Sequence, residues 1–208
     1  SVDLDAYYGT YTNGDLTLGL DGVGGFIFGD LTGTYTVNEN GGYTFDAYTD
    51  DNSAYYHFTV DAAAKTFTAV KPTVKITFES DYGTVPAEAD ANLNVPFALD
   101  TTLTDAGHFF RGWYVKGDAS MTLVPTDYVP TEAVTLVAKW DVKYTFTINF
   151  NGGGADRVEA HGEGDLLTVE NAKKSGERFL GWYNTSDFQE GTEFVSGTVK
   201  IAANVTIY

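Results

Sequence analysis

The segment Gly107-His108-Phe109-Phe110-Arg111-Gly112-Trp113-Tyr114 recurs 69 residues later as Gly176-Glu177-Arg178-Phe179-Leu180-Gly181-Trp182-Tyr183. Two copies of Gly-x-x-Phe-x-Gly-Trp-Tyr mark an internal repeat, which restricts the architecture more than any local propensity does. The flanks repeat as well. Ile76-Thr77-Phe78 returns as Ile148-Asn149-Phe150, and Val134-Thr135-Leu136-Val137 as Val205-Thr206-Ile207-Tyr208. About two thirds of the 208 residues are therefore one small module used twice. Tandem modules of this size serve display, spacing or adhesion more readily than catalysis.

Strand alternation puts Phe110, Gly112 and Tyr114 on one face of their strand, with Arg111 and Trp113 on the other. The second copy sets Phe179, Gly181 and Tyr183 against Leu180 and Trp182. Aromatics on both faces suit a central strand packed on both sides, and glycine between them leaves room for a ring over the backbone. The motif is expected to be structural, with a ligand pocket as the lesser reading.

Residues 1–72 carry no copy of the repeat. Asn13-Gly14, Asp21-Gly22, Gly24-Gly25, Gly29-Asp30, Asn40-Gly41-Gly42 and Asp50-Asp51-Asn52-Ser53 punctuate short alternating runs. This spacing predicts strands near 6–12, 16–20, 25–29, 33–38, 43–48, 54–60 and 66–70, an antiparallel meander closed as a small barrel or a sandwich. Alternation buries Leu16, Leu18 and Leu20; Tyr35 and Val37; Tyr43, Phe45 and Ala47; and Ala54, Tyr56, Phe58 and Val60. It turns Tyr48, Tyr55 and His57 outward on adjacent strands, a candidate aromatic platform for a sugar ring or a protein partner. The competing reading is that they pack against a neighbouring domain.

Lys71-Pro72-Thr73 marks the first boundary, since proline cannot donate to a ladder. The expected domains are 1–72, 73–141 and 142–208. The first repeat is predicted to have strands near 74–79, 95–99, 109–115 and 134–140. The second should have them near 145–150, 165–169, 178–184 and 199–208. The joint Asp141-Val142-Lys143 contains neither glycine nor proline, which should limit swing between the repeats. Ala87–Asn94 and Glu170–Lys174 are the stretches richest in helix formers, without a sustained helical period.

Taken together, the opening Val74-Lys75-Ile76-Thr77-Phe78 or Thr145-Phe146-Thr147-Ile148-Asn149-Phe150-Asn151-Gly152-Gly153, the Gly-Trp-Tyr core and the closing Val134-Thr135-Leu136-Val137-Ala138-Lys139-Trp140 resemble the internalin B-repeat, or Listeria–Bacteroides repeat, family. The resemblance covers about residues 73–208. It implies two tandem small β-grasp-like, ubiquitin-like domains of bacterial surface proteins, without enzymatic activity. The second copy stops at Tyr208, three residues short of the position of Trp140 in the first. With Ser1 in place of Met, this reads as a piece of a longer protein.

The chemistry of the side chains narrows function by elimination. The net charge of −17 divides as −8, −6 and −3 over the three expected domains. No basic patch is available for phosphates, so neither nucleic acid nor an anionic membrane surface is an expected partner. No run reaches 18 apolar residues, so no membrane insertion is expected. The absence of Cys removes thiol chemistry, and no Ser sits in Gly-x-Ser-x-Gly. His57, His108 and His161 fall one to a domain. Glu88-x-Asp90-x-Asn92-x-Asn94 alternates oxygen ligands but lacks the glycine and the closing glutamate of a calcium loop. The expectation is a mainly β, monomeric, non-catalytic chain with no cofactor and no metal. Its place is the extracellular bacterial cell surface, wall-anchored in the full-length protein. Its modules space and adhere, with a host or neighbouring-cell surface protein or glycan as partner. The alternative is a carbohydrate-binding module of a glycan-utilisation protein.

Overall fold

The computed structural model describes residues 3–38 and 44–208. Its chain divides into two compact units. The first comprises Ser1–Phe78, Pro86–Asp100 and Val124–Leu136, and the second Glu79–Val85, Thr101–Leu123 and Val137–Tyr208. Among the described residues the only helix is a single 3-10 turn, Leu4–Tyr7.

The first unit begins with a closed barrel. Its strands are β1 (Gly9–Asn13), β2 (Leu16–Leu20), β3 (Gly25–Phe28), β4 (Leu31–Val37), β5 (Thr44–Thr49), β6 (Tyr55–Asp61) and β7 (Thr66–Val70). Each pairs antiparallel with the next, and β1 meets β7 in parallel at Thr12 and Thr66. The expected meander is thus a barrel, which removes sheet edges that would otherwise invite aggregation. Its core is largely aromatic: Tyr11, Phe26, Tyr35, Phe45, Phe58 and Phe67 pack with Leu18, Leu20, Ala47 and Val60. Tyr35 and Phe45 meet edge to face at 5.2 Å, as do Phe28 and Phe58 at 5.3 Å, the arrangement that ring quadrupoles favour. Gly33 allows the closest approach, since a Cβ there would collide with the Tyr48 carbonyl and lie 2.7 Å from the Phe26 ring.

Most of the expected inward faces are buried, with two exceptions. Leu16 is 53% exposed, because β2 turns over the Asn13-Gly14 hairpin and buries only Leu18 and Leu20. Tyr55, expected outward, is 5% exposed. Tyr43 lies outside the described residues.

The first unit also holds β8 (Thr73–Glu79), apart from its last residue, together with β9 (Ala89–Asn92), β10 (Phe97–Ala98) and β12 (Asp127–Tyr128). β8 and β9 pair antiparallel from Thr73↔Asn92 to Ile76↔Ala89, and β10 pairs with β12. The helix formers of Ala87–Asn94 are therefore overruled. Alternation buries Ala91 while Asp90 faces water, a strand pattern carried by small residues that propensity alone does not flag.

The second unit contains β11 (His108–Val115), β14 (Arg157–Gly162), β15 (Trp182–Tyr183), β16 (Glu193–Phe194) and β17 (Val205–Ile207). A 15-residue strand, β13 (Val134–Ile148), runs through both units without a break. In its sheet the order is β11-β13-β8-β9, with β14 and β17 as further partners of β13. β13 pairs antiparallel with β14, from Lys143↔Gly162 to Ile148↔Arg157, and parallel with β17 at Phe146↔Val205 through Ile148↔Ile207. The core of the second unit gathers Phe146, Ile148, Phe150, Leu167, Val169, Trp182, Phe194, Ile201 and Ile207. Glu170–Lys174 is not helical. The strand expected at 165–169 is reduced to one bridge, Leu166↔Lys200, and that at 178–184 to Trp182–Tyr183. β14 goes unforeseen because its apolar residue Val158 faces solvent, leaving no hydrophobic alternation to read.

Candidate functional site

Three places concentrate the interactions that bear on function: the aromatic group on β5 and β6, the twin Gly-Trp-Tyr motifs, and the joint at Asp141–Lys143.

On the barrel, Tyr48 and Tyr55 stack at 4.5 Å with planes 15° apart, and His57 meets Tyr55 edge-on at 5.1 Å. The three side chains do come together, but not as an open platform. The Asn92 side chain accepts from the Tyr55 amide at 2.8 Å and donates to the carbonyls of Tyr55 (3.1 Å) and Pro72 (2.7 Å). Asn94 Nδ2 donates to the Tyr48 hydroxyl at 3.2 Å. The Tyr55 hydroxyl lies 3.1 Å from Asp46 and 2.5 Å from His57 Nε2. Burial, with the hydrogen bond and charge of Asp46, pushes the Tyr55 phenol well above its ordinary range. His57 and Tyr48 retain partial exposure. The same contacts disperse the oxygen-rich run Glu88 to Asn94. Asn92 and Asn94 hold tyrosines, and Lys75 Nζ sits 2.7 Å from Glu88 and 3.8 Å from Asp90. Among the described residues, no group of three His, Cys, Asp or Glu side chains could hold a metal ion.

The two copies of the motif repeat their packing closely. Trp113 and Trp182 are 1% and 4% exposed. Phe110 meets Trp113 at 5.5 Å and 69°, and Phe179 meets Trp182 at 5.5 Å and 62°. Strict alternation would put each pair on opposite faces. Gly112, at φ 135°, breaks the alternation and brings the Phe and Trp rings to one side. The ring expected over the glycine is present in the second copy, where Tyr183 approaches Gly181; in the first it is Leu123, within 3.4 Å of where a Gly112 Cβ would stand. Tyr114 bridges to Leu123, while Tyr183 and Tyr208 exchange backbone hydrogen bonds of 3.1 and 2.9 Å. A cleft of about 370 Å³ opens beside the second motif, between Phe150, Phe179, Leu180 and Tyr208.

The joint centres on Arg111, whose counterpart in the second motif is Leu180. The guanidinium donates from Nε to Asp141 and from Nη2 to Asp165 at 2.6 Å, and lies 5.0 Å over the Phe109 ring. Gly162 faces it where any Cβ would collide. Asp165 also accepts from the Gly162 amide at 2.9 Å. Burial pulls the Arg111 pKa down, but the hydrogen bonds and charges of Asp165 and Asp141 outweigh it and hold it above its ordinary value. For Asp165, burial raises the pKa, and the Arg111 hydrogen bond, the Gly162 amide and nearby positive charge bring it below the usual carboxylate range. Around this node the Lys143 amide bonds the Gly107 carbonyl (2.9 Å), the Glu163 amide bonds Val142 (2.8 Å), and Lys143 Nζ donates to the Asp105 carbonyl (2.6 Å). The sequence showed Arg111 only as a strand-face residue of the motif and Asn92 only within the oxygen-rich run, and gave the partners of neither. The exchange of a charged Arg111 for Leu180 between the two motifs is a signal for the first, one of three differences between them; an asparagine with long-range backbone partners leaves none.

Comparison with known proteins agrees with the repeat. A protein of Evansella cellulosilytica that carries the name of a membrane protein is 32% identical over 129 residues, 60% of this chain and 19% of its own. A second, named as a Gly-rich membrane protein of the same organism, is 30% identical over 139 residues, 64% of this chain and 15% of its own. This chain thus spans less than a fifth of either relative. The Listeria-Bacteroides repeat domain matches residues 75–139 and again 144–208, more than half of the chain. Through these two tandem copies, the chain belongs to the Listeria-Bacteroides repeat domain family.

Proposed function

We propose that this chain is a non-catalytic part of a bacterial cell-surface protein, in which the two repeats form a stiff spacer that presents the barrel to a partner. One observation carries the reading: β13 passes unbroken from the first repeat into the second, and Arg111 ties the first repeat to Asp165 of the second. A flexible tether needs a hydrated, glycine- or serine-rich linker. Here the joint residues are strand, paired on both sides of Asp141. Support for the surface location comes from the family and from the membrane-protein names of the two relatives. Among the described residues no helix is long and apolar enough to cross a membrane.

In this reading each repeat is a reduced β-grasp sheet without its helix. The support is the strand arrangement. In the second repeat the opening strand lies between an antiparallel second strand and a parallel last strand, and the order β9-β8-β13-β11 repeats that plan in the first. The partner is a host or neighbouring-cell surface protein, bound by a monomer without cofactor or metal.

The second reading, a carbohydrate-binding module, draws on Tyr48 and His57, which keep accessible surface at the edge of the stacked tyrosines. A glycan array and a cell-binding assay on the whole chain separate the two. Glycan binding lost in Tyr48→Ala supports the sugar module. Binding to protease-sensitive cell-surface sites, with no glycan signal, supports the adhesive spacer. Turnover of glycosides or peptides by the purified chain would overturn both.

A further inference from the structure

Cross-strand register brings two outward-facing glycines together on the barrel wall. Leu18 and Leu20 are buried, so Gly19 between them faces out, level with Thr10 on β1 and Ile27 on β3. Phe26 is buried, so Gly25 also faces out, and its carbonyl accepts from the Asp21 amide at 3.1 Å. Where the two side chains are missing lies a dish of about 350 Å³. Its rim carries Tyr8, 68% exposed, Ile27, 58% exposed, and the carboxylates of Asp21 and Asp50. Gly9 pairs with Leu20, so Tyr8 stands opposite Asp21.

The fold accounts for one of these glycines and not for the other. A Cβ on Gly25 would lie 2.3 Å from Asp21 Oδ2. A Cβ on Gly19 would meet nothing nearer than Ile27 at 3.9 Å, an ordinary contact, and its φ is not positive. Glycine weakens the interior of a strand, and it marks places where a ligand or another backbone comes close. At Gly19 nothing in the described barrel does so, which leaves the space to an outside chain. The charge around it is one-sided. Asp21 Oδ1 accepts from the Val23 and Gly25 amides at 2.9 and 2.8 Å, which holds its carboxyl below the usual range, and its Oδ2 lies over Gly25. Asp50 Oδ2 accepts from Thr32 Oγ1 at 2.7 Å. Residues 1–72 hold ten acids and two bases, Lys65 and Lys71. Neither base lines the dish, and Lys65 Nζ sits 4.9 Å over the ring of the core residue Tyr11.

We infer that this dish is the seat of the barrel's protein partner, and that the partner presents an arginine to it on an extended segment. The inference rests on the reading that the barrel is displayed to a protein. The guanidinium lies on the Tyr8 ring and donates to Asp21, while the segment's backbone crosses Gly19 against Ile27. An aromatic face beside a carboxylate is the surrounding that a guanidinium binds best. Tyrosine and arginine are also the residues that carry the most energy at protein interfaces. The acidic barrel adds long-range attraction for a basic partner. A neutral sugar could stack on the same ring, but it would gain nothing from that charge.

The test titrates the whole chain with a fluorescein-labelled peptide, Gly-Ser-Arg-Gly-Ser-Gly, and with its citrulline counterpart, which keeps the shape and loses the charge. Amide shifts locate the binding and anisotropy measures it. The expected result is that the arginine peptide moves the Gly19 and Ile27 amides and the citrulline peptide does not. Affinity should fall about tenfold or more in Gly19→Val and in Asp21→Asn. It should hold in Asp15→Asn, which removes the same charge from the hairpin at the far end of β2. Gly19→Val should melt no lower than wild type. Equal binding of the two peptides, undiminished binding by Gly19→Val or Asp21→Asn, or an equal loss in Asp15→Asn would overturn the inference. A saccharide that moves the Gly19 amide and is lost in Gly19→Val would overturn it too, by assigning the dish to sugar. Gly19→Val that loses the peptide but keeps full binding to protease-sensitive cell-surface sites would remove the dish as the partner's seat and leave the adhesive spacer standing. A wild-type chain that binds no cells would bring down that reading and this inference with it.

Discussion

Replacing Arg111 by Met keeps the aliphatic stem and removes the guanidinium, so it isolates the clamp at the joint. Two charge-assisted hydrogen bonds are lost, to Asp141 and Asp165. Bonds to charged groups are each worth about 1.5–3 kcal/mol when shielded, while fully exposed pairs contribute about 0–1 kcal/mol. The Arg111, Asp141 and Asp165 side chains are 24%, 31% and 25% exposed, which places the clamp between these limits. Asp165 keeps the Gly162 amide, so it is not stranded without a donor. The expected cost is about 2 kcal/mol, with a coupling of about 1 kcal/mol between Arg111 and Asp165 in a double-mutant cycle. Urea unfolding followed by tryptophan fluorescence reads the right unit, because Trp113, Trp140 and Trp182 all lie in the second one. The pH dependence follows from the carboxylate. Asp165 titrates lower in the folded chain than unfolded, where its pKa is about 3.9. Its contribution is therefore complete above the unfolded value and is lost as pH falls through the lower folded value. The gap between wild type and Arg111→Met should be full at neutral pH and shrink below about pH 4. A gap under about 0.5 kcal/mol at neutral pH, or one unchanged in acid, would refute the clamp.

Other perturbations probe separate parts of the structure. Trp113→Ala and Trp182→Ala should each cost about 3–5 kcal/mol by urea unfolding, as large core aromatics do; near-wild-type stability for either would move that residue out of the core. Asn92→Ala removes the side-chain partner of the Tyr55 amide and carbonyl, while the Pro72 carbonyl keeps the Leu93 amide; it should cost about 1–3 kcal/mol, visible as faster amide exchange at Tyr55. In the barrel, the Tyr35 hydroxyl is buried without a hydrogen bond, whereas the Tyr11 hydroxyl donates to the Tyr7 carbonyl at 2.9 Å. Tyr35→Phe should accordingly be neutral or stabilise by about 1 kcal/mol, and Tyr11→Phe should destabilise by about 1 kcal/mol; calorimetry gives both signs.

Period-two alternation with glycine and asparagine turns placed all seven barrel strands, because each inward side chain meets a single shared core. It failed at Tyr55, whose neighbours come from a segment far along the chain. An alternation pattern says which way a side chain points and nothing about what stands there. The twin motifs located the buried tryptophans, since the same residues at the same spacing solve the same packing problem, but alternation set each Phe and Trp on opposite faces and missed their contact. Gly112 hid the detail: its positive φ shifts Phe110 to the side of Trp113, and no count by twos shows that. Strand β14 escaped for the opposite reason, because it is held by its ladder and by ion pairs rather than by an apolar face. That Asp141-Val142-Lys143 lie within a strand accords with the absence of glycine and proline from them. The Arg111 clamp that reinforces it depends on Asp165, 54 residues away, and long-range ion pairs leave no local trace in a chain with 29 acidic residues.

The stiffness of the joint is the claim on which the spacer reading rests. The chain has no cysteine, so spin labels can be placed uniquely at the exposed Ser120 and Ser186, one in each repeat and both in the second compact unit. Double electron–electron resonance between Ser120→Cys and Ser186→Cys labels should give one narrow distance distribution that broadens when Arg111→Met is added. A broad or multimodal distribution in the otherwise wild-type chain would show that the repeats move independently, and the spacer account would fail.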